Sequence, residues 1–267
     1  MKFYAENIDI AYGKDTIVED LSLVIPGGKI TALIGANGSG KSTILKTMCR
    51  IMSPSKGQVI LDGKSIHTQS TKELARRLAI LPQNPESPEG LTVEELIGYG
   101  RSPHKSGYGR LNQKDEEIIR WALEVTEMQE FSDRPLDQLS GGQRQRAWIA
   151  MCIAQDTEIL FLDEPTTFLD ISYQLDILKL LQELNRQYKK TIVMVIHDLN
   201  HASLFADHIV AIKKGKIVCK GTPEEVITEE NCRLVFGVLA DISRDKRTGK
   251  PLCIPYDNMT PEPETQE

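Results

Sequence analysis

Residues 35–42 read G-A-N-G-S-G-K-S, which brings three glycines, a lysine and two hydroxyl side chains into one short loop. Glycines let consecutive backbone N–H groups turn toward one anion, because no side chain stands in the way. Lys41 can reach the β- and γ-phosphates of a nucleoside triphosphate, as a catalytic group, and the Ser42 hydroxyl can ligate Mg²⁺. We predict a nucleotide-binding loop that consists of Gly35, Ala36, Asn37, Gly38, Ser39, Gly40, Lys41, Ser42 and Thr43.

The surroundings of this loop matter, because a glycine-rich turn between a strand and a helix can also exist without a ligand. The β-branched run at residues 29–34 precedes the loop, and a helical pattern, S-T-I-L-K-T-M-C-R-I-M, follows it. A helix that begins here adds about half a positive charge at its N-terminus. This setting favours the phosphate-binding interpretation.

A carboxylate pair, Asp163 and Glu164, follows the apolar run at residues 159–162. Because α/β sheets bind ligands at the carboxyl ends of their strands, we expect the pair to face the phosphate site. We assign Asp163 to organising Mg²⁺ and Glu164 to polarising an attacking water molecule. The alternative is a pair of carboxylates that merely caps the turn before Pro165.

His197 follows another apolar run, at residues 191–196, and is therefore predicted to lie at the same edge of the sheet. A neutral imidazole there can hydrogen-bond a γ-phosphate and hold the attacking water in line, which would make His197 catalytic. A histidine with a purely structural role is the alternative.

An α/β fold is needed to position these groups. Short apolar runs rich in β-branched residues alternate with longer helical patterns, which indicates central strands that are buried on both faces. The predicted strands are residues 22–25, 29–34, 58–61, 78–81, 159–162, 191–196 and 209–212.

Residues 88–154 have a mainly helical pattern, in which Ile118, Trp121, Ala122 and Val125 recur at helical spacing. Turn-rich stretches at residues 53–57, 84–90 and 102–110 mark connections. We predict a single domain over residues 1–256, with a helical subdomain inserted at about 88–154. The acidic, proline-containing residues 257–267 are predicted to be disordered, because they have little apolar surface to bury.

The composition narrows the class of protein. A net charge of −6 over 267 residues gives no basic field, so we expect no nucleic acid partner. The five cysteines include no C-x-x-C pair, which predicts reduced and mostly buried thiols. The longest apolar runs are far shorter than a membrane span and the N-terminal pattern is not that of a signal peptide, so we expect any membrane role to depend on another chain.

The segment L-S-G-G-Q-R-Q at residues 139–145 has the chemistry of a second anion site, with a serine hydroxyl, two glycines and a helix expected from Gln143 onward. With the loop and carboxylates above, it resembles the signature of the ABC transporter ATPase family. The resemblance covers roughly residues 3–236. It implies an α/β P-loop NTPase core of ABC ATPase type, with an antiparallel β part and an inserted helical subdomain.

This resemblance implies further roles. In the family's head-to-tail dimer, ATP on one P-loop is covered by the partner's signature loop, here Ser140, Gly141, Gly142 and Gln143. Tyr12 resembles the aromatic residue that stacks on adenine, with a half-buried strand tyrosine as the alternative. Gln83 resembles the Q-loop glutamine, which contacts Mg²⁺ and reports the nucleotide state to the transport partner; a solvated loop residue is the alternative.

Phe168-Leu169-Asp170 resembles the family's D-loop, with Asp170 as a nucleotide-site residue, although Phe168 stands where small residues are common. His197 resembles the H-loop histidine.

Three segments resemble the ATPases of bacterial iron-siderophore importers, which are related to vitamin B12 and haem importers: residues 99–104, 195–210 and 251–256. The alternative is packing variation within the wider family. The family resemblance implies ATP and Mg²⁺ as cofactors, a homodimer, polytopic permease subunits and, indirectly, an extracytoplasmic binding protein. It places the chain at the cytoplasmic face of the cell membrane.

Two other functions compete with import. One is a soluble ABC ATPase that assists assembly of an iron-sulfur or other complex. The other is a nucleic-acid-associated ABC protein, which the single cassette and the acidic charge disfavour.

Overall fold

The computed structural model describes residues 1–13, 15–105 and 111–259. The strands in these ranges are β1 (Phe3–Tyr12), β2 (Asp15–Ile25), β3 (Ile30–Ile34), β4 (Lys56–Leu61), β5 (Lys64–Ser65), β6 (Leu78–Leu81), β7 (Ile159–Asp163), β8 (Thr191–Val195), β9 (His208–Lys213), β10 (Lys216–Gly221), β11 (Val238–Arg244) and β12 (Pro251–Asn258). The α-helices are α1 (Lys41–Met48), α2 (Thr71–Ala75), α3 (Val93–Tyr99), α4 (Gln113–Val125), α5 (Gly141–Ala154), α6 (Ile171–Tyr188), α7 (Leu199–Phe205), α8 (Pro223–Val226) and α9 (Glu229–Asn231).

These strands form three sheets. The largest has the order β10-β9-β3-β8-β7-β6, in which neighbouring strands from β9 to β6 run parallel and β10 runs antiparallel to β9. A four-stranded antiparallel sheet has the order β2-β1-β4-β5, and β11 pairs with β12. The predicted α/β class with an antiparallel β part is confirmed.

The central strand β3 shows why the parallel strands are continuous apolar runs. Ile30, Ala32 and Ile34 belong to a core shared with the helices between β6 and β7, whereas Leu33 belongs to the core under the antiparallel sheet. Every residue of β3 is buried, so both faces of this strand lie inside the protein. Full burial of each large aliphatic side chain contributes roughly 1.5–3 kcal/mol to the stability of the fold, and this burial holds β3 in the core.

The seven predicted strands correspond to β2, β3, β4, β6, β7, β8 and β9, but the sequence interpretation missed β1, β5 and the three strands from β10 onward. In β1, the register against β2 shifts between Ala5 and Ile8 and again between Ile8 and Ile10. Such bulges break the two-residue alternation by which strands are recognised.

In α4, the helix predicted from Ile118, Trp121, Ala122 and Val125, the buried stripe is slightly different. Its buried residues are Asp115, Ile119, Ala122 and Leu123, while Ile118, Trp121 and Val125 are only partly buried. The apolar pattern did not predict that Asp115 is buried, because the partner that neutralises its charge lies outside the helix, as described below.

The C-terminal boundary predicted at residue 257 is wrong, because β12 continues through Asn258. Asp257 pairs with Leu239 and Asn258 with Val238, so backbone hydrogen bonding to β11 orders residues that have little apolar surface. Residues 260–267, which include the rest of the predicted tail, lie outside the described residues, as do residues 106–110 of the turn-rich stretch.

All five cysteines are free and four of them are buried, as predicted. Within the described ranges, no helix combines the length and apolar character needed to cross a bilayer.

Candidate active site

Four adjacent parallel strands deliver the predicted catalytic groups to one edge of the sheet. The strands β3, β8, β7 and β6 are neighbours, and the loop at residues 35–40, His197, Glu164 and Gln83 follow their carboxyl ends. Val195 at the end of β8 pairs with Leu33 of β3 and with Asp163 of β7, so these ends are level. The sheet therefore places the groups side by side, as expected for a ligand-binding edge.

The backbone of the phosphate loop requires glycine at its first position. Gly35 has a φ of +151°, and a Cβ atom there would lie 2.1 Å from the Ile212 carbonyl oxygen. Gly40, with a φ of 100°, caps α1, so the loop runs directly into a helix N-terminus. The α1 dipole then favours an anion at this place.

Lys41 is almost fully buried beneath the loop, and its ammonium group donates hydrogen bonds to the carbonyl oxygens of Gly35 at 3.0 Å and Ala36 at 2.9 Å. Since an ammonium group has three protons, one remains for a phosphate oxygen. Burial lowers the pKa of Lys41, while the charges of Glu164 and Asp163 act in the opposite direction. The lysine is thus held at the place where a phosphate needs a positive charge.

Ser42 and Asp163 form an oxygen-rich pair below the loop. The Ser42 hydroxyl donates to Asp163 Oδ1 at 2.7 Å, and Oδ2 of Asp163 is buried without a hydrogen bond to any described residue. Burial raises the pKa of Asp163, and the hydrogen bond from Ser42 opposes that change. A buried carboxylate oxygen without a partner beside a hydroxyl suits a hard cation such as Mg²⁺, so these residues fit the metal that the sequence predicted.

Glu164 accepts hydrogen bonds from three side chains. Gln83 Nε2 lies 2.7 Å and the Thr167 hydroxyl 3.0 Å from Oε2, and His197 Nε2 lies 2.6 Å from Oε1. Burial acts to raise the pKa of Glu164, but the hydrogen bonds from His197, Thr167 and Gln83 outweigh it and the pKa lies below its usual value. The carboxyl group is therefore ionised at neutral pH, the form in which it can accept a proton.

An open cleft of about 820 Å³ contains most of the predicted nucleotide-binding residues. Its walls consist of Tyr12, Ile17, residues 37–43, Gln83, Glu164, Thr167, Phe168 and His197. Tyr12 is about half exposed, and its hydroxyl donates to the Met52 sulfur at 3.0 Å. The site predicted for adenine thus lies on the same cleft as the phosphate loop, although stacking itself stays a prediction.

The signature residues do not line this cleft. The Ser140 side chain caps α5 by accepting from the Gln143 backbone, and the Gln143 side chain reciprocally accepts from the Ser140 backbone. The helix therefore begins at Gly141, two residues before the predicted start at Gln143. Gly142 is buried against the Tyr173 ring, and a Cβ atom there would lie 2.4 Å from that ring.

Gly35, Ala36, Asp163 and Asp170 also lie outside the cleft lining. The first three support the loop and its lysine or hydroxyl from below. The Asp170 side chain accepts from the Tyr173 backbone at 3.1 Å and thereby caps α6. Its direct contact with a nucleotide stays a prediction.

Sequence reasoning missed two residues of the cleft, Ile17 and Thr167. Ile17 lies in the missed first half of β2. Thr167 follows Glu164 by three residues across a proline, a spacing at which a threonine hydroxyl commonly bonds within its own turn. That spacing is the signal by which Thr167 could have been found.

Comparison with known proteins identifies relatives that match nearly the whole length of the chain. The sequence profile described as ABC transporter matches residues 18–167. The iron(3+)-hydroxamate import ATP-binding protein FhuC of Bacillus subtilis is 57% identical, over 97% of this chain and 96% of that protein. The ferric enterobactin transport ATP-binding protein FepC of Escherichia coli is 46% identical, over 96% and 94% respectively.

Solved structures of ABC transporter proteins are also similar to this chain. One, described as a metal-chelate type ABC transporter in an inward-facing conformation, has a TM-score of 0.83 at 26% identity, over 96% of this chain and 97% of that one. A dimeric ATP-binding cassette in a post-hydrolysis state, with ADP and phosphate bound, has a TM-score of 0.71 at 27% identity, over 82% and 98%.

Proposed function

This chain belongs to the ABC transporter family of ATPases, and we propose that it supplies the ATP hydrolysis of an iron-siderophore importer. One observation carries the hydrolytic part: Lys41 and Ser42 of the phosphate loop line one cleft with Glu164 and His197. The cargo is supported by the relatives, whose names specify import or transport of iron-siderophore complexes.

Each group has a distinct task in hydrolysis. The N–H groups at the start of α1 and the ammonium group of Lys41 bind the triphosphate. Glu164 accepts the proton of the attacking water, and His197 orients that water against the γ-phosphate. Ser42, Asp163 and Gln83 are the residues that would hold Mg²⁺, which neutralises charge on the phosphates when it is bound.

The position of the signature loop supports a two-chain site. Ser140 and Gly141 are exposed at the N-terminus of a 14-residue helix, and neither lines the cleft of its own chain. ABC ATPases of import systems act as dimers, and we place the signature loop of each copy over the ATP of the other. ATP binding then closes the pair, and hydrolysis allows it to reopen.

We further propose that the dimer is bound to polytopic permease subunits at the cytoplasmic face of the membrane and serves an extracytoplasmic binding protein indirectly. The helices at residues 88–154 would then act as a subdomain that moves with the permease. Gln83, at the border of this subdomain, would couple its position to the state of the bound nucleotide. A soluble ABC ATPase for complex assembly is less favoured, since the similar relatives are named as import or transport proteins.

Uptake by cells tests the proposal. Deleting this chain should abolish uptake of a radioactive ferric hydroxamate siderophore, while binding of the siderophore to the extracytoplasmic receptor stays unchanged. Wild-type chain should restore uptake and the Glu164→Gln variant should not, because we expect the variant to bind ATP but to hydrolyse it about 10² to 10⁴-fold more slowly. Normal uptake in the deletion strain, with no second ATPase that substitutes, would remove the cargo assignment; uptake restored by the variant would remove the hydrolytic role of Glu164.

A further inference from the structure

Three side chains donate hydrogen bonds to the Glu164 carboxylate, and Thr167 is the one that belongs to none of the predicted motifs. Its hydroxyl lies 3.0 Å from Glu164 Oε2, and it lines the nucleotide cleft. We propose that Thr167 is a positioning residue that keeps the Glu164 carboxylate aimed during hydrolysis. The inference rests on the proposed function, because it assigns Glu164 the role of base.

The three donors to Glu164 differ in what else they must do. Gln83 and His197 follow other strands, β6 and β8, and the proposed function assigns both to the bound nucleotide and its metal. If they turn to those partners, their hydrogen bonds to the carboxylate at 2.7 and 2.6 Å would be lost. Thr167 has no such second assignment, so its hydrogen bond alone would remain to orient the group.

The backbone gives Thr167 a fixed distance from Glu164. The Thr167 N–H donates to the Glu164 carbonyl oxygen at 3.3 Å, which closes a turn with Pro165 at its second position. Glu164 and Phe168, on either side of this turn, have positive φ values of 55° and 63°. Left-handed conformations at residues other than glycine are uncommon and cost energy, and they persist where the surrounding structure determines them. The turn is therefore a built feature and not a loose connection.

Thr167 is also next to the surface that a second copy would press upon. Phe168 is 91% exposed and Ile171 73% exposed, at the start of α6. A contact made there by the partner would move the turn that carries Thr167 and, through the hydroxyl, the Glu164 carboxylate. Thr167 thus gives the closed dimer a route to align the base.

The test compares Thr167→Val with Thr167→Ser in the full-length chain. Valine keeps the β-branched shape and removes the hydroxyl, and hydrogen bonds to charged groups are strong enough for a loss of about 10-fold or more in kcat. The KM for ATP and the thermal stability should stay near wild type, and serine should restore most of kcat. Thr166→Val is the matched control, since the Thr166 hydroxyl makes no hydrogen bond to the described residues.

A second readout does not depend on turnover. With slow hydrolysis, Thr167→Val should accumulate an ATP-dependent dimer, seen by light scattering at saturating ATP and Mg²⁺, whereas Thr166→Val should resemble wild type. The inference would be overturned if Thr167→Val had the kcat of wild type while the wild-type chain was active and the Glu164→Gln chain was inactive. The proposed function would then still stand. An equal loss in Thr166→Val, or no recovery in Thr167→Ser, would also overturn the inference, because the effect would then not lie in the hydroxyl. Absence of ATPase activity in wild type would instead count against the proposed function.

Discussion

The surroundings of Glu164 have opposing effects on the pKa of its carboxyl group. Burial disfavours its charge, but the donors from His197, Thr167 and Gln83 favour it, and the net effect is a lowered pKa. A carboxylate with a lowered pKa is a weak base, so the base role that we propose for Glu164 depends on its position in the same cleft as the phosphate loop. Releasing two donors to the nucleotide would also raise its basicity when a substrate is present.

Replacing Glu164 by Gln removes the proton acceptor and keeps the size of the side chain. We expect ATP binding to stay near wild type and hydrolysis to slow by about 10² to 10⁴-fold, the range typical of general-base catalysis. Steady-state phosphate release and equilibrium binding of a fluorescent ATP analogue measure the two effects. Hydrolysis within threefold of wild type would sink the assignment of Glu164 as the base.

Sequence reasoning at this scale depended on local signals. Lys41, Ser42 and the Asp163-Glu164 pair were predictable because each directly follows, or shortly follows, a continuous apolar strand. The hydrogen bond from Gln83 to Glu164 was not, because it joins residues 81 positions apart. Thr167 was missed although its hydrogen bond to Glu164 is local, because the three-residue spacing between them was not considered.

At the scale of elements, the segment Y-G-R-S-P-H at residues 99–104 acquires a physical role. Arg101 is buried, donates to Asp115 of α4 at 2.9 Å and to the Ala154 carbonyl at the end of α5 at 2.7 Å. Gly100 permits this approach, since a Cβ atom there would lie 2.3 Å from the Met151 carbonyl oxygen. The segment therefore joins α3 and α4 to the C-terminal end of the helix whose other end carries the signature loop.

The Asp115→Asn substitution tests this joint. It leaves the Arg101 charge buried without its counter-charge, a change that typically costs about 3–5 kcal/mol of unfolding free energy. Urea unfolding near neutral pH measures the cost. Glu124→Gln, at an exposed position on the same helix, is the matched control and should stay within about 0.5 kcal/mol of wild type.

The same pair predicts a pH dependence. Burial acts to raise the pKa of Asp115, but hydrogen bonds from Arg101 and the Asn112 backbone more than offset it, so the folded-state pKa lies below the usual value. The stabilisation is then fully present above about pH 4, the usual aspartate value, and is lost as pH falls through the folded-state pKa. The stability gap between wild type and Asp115→Asn should therefore narrow only in acid. A gap that is already closed at pH 6 would contradict the ion-pair account.

Some strands and helices could be predicted from the sequence more reliably than others. The parallel strands were predictable because burial on both faces makes them apolar throughout, as in β3 and β8. The C-terminal strands β11 and β12 were not, because they combine exposed, partly buried and buried side chains without a regular alternation, and they pair with each other. Asp115 hid the true buried face of α4, because only the distant Arg101 explains a charge there.

At the scale of the whole molecule, the separation of the signature loop from the phosphate cleft has the largest consequence. Under the proposed function each chain has two phosphate-binding loops, residues 35–42 and residues 140–143, and the second does not line the cleft that contains most of the first. One γ-phosphate can be held between them only if the loops belong to different copies. The proposal therefore requires that each copy contribute one half of each of two active sites.

Mixing two defective chains tests this arrangement. One chain carries Lys41→Ala, and the other carries Ser140→Arg, whose guanidinium would block the signature loop. Each homodimer has two defective sites, whereas a mixed dimer has one site with both defects and one with an intact phosphate loop and an intact signature loop. Mixing should therefore produce ATP-dependent association that neither chain shows alone. If the two loops served one chain, every site would keep a defect and mixing would restore nothing.

The measurement is best made with Glu164→Gln in both chains, because slow turnover lets the closed dimer accumulate. Light scattering at saturating ATP should report partial association, since one intact site supplies only about half of the nucleotide-linked stabilisation. Glu164→Gln without the other substitutions is the reference and should associate fully. Association of the reference with none in the mixture would count against a shared site, because the intact phosphate loop and signature loop would then have failed to act together across two chains.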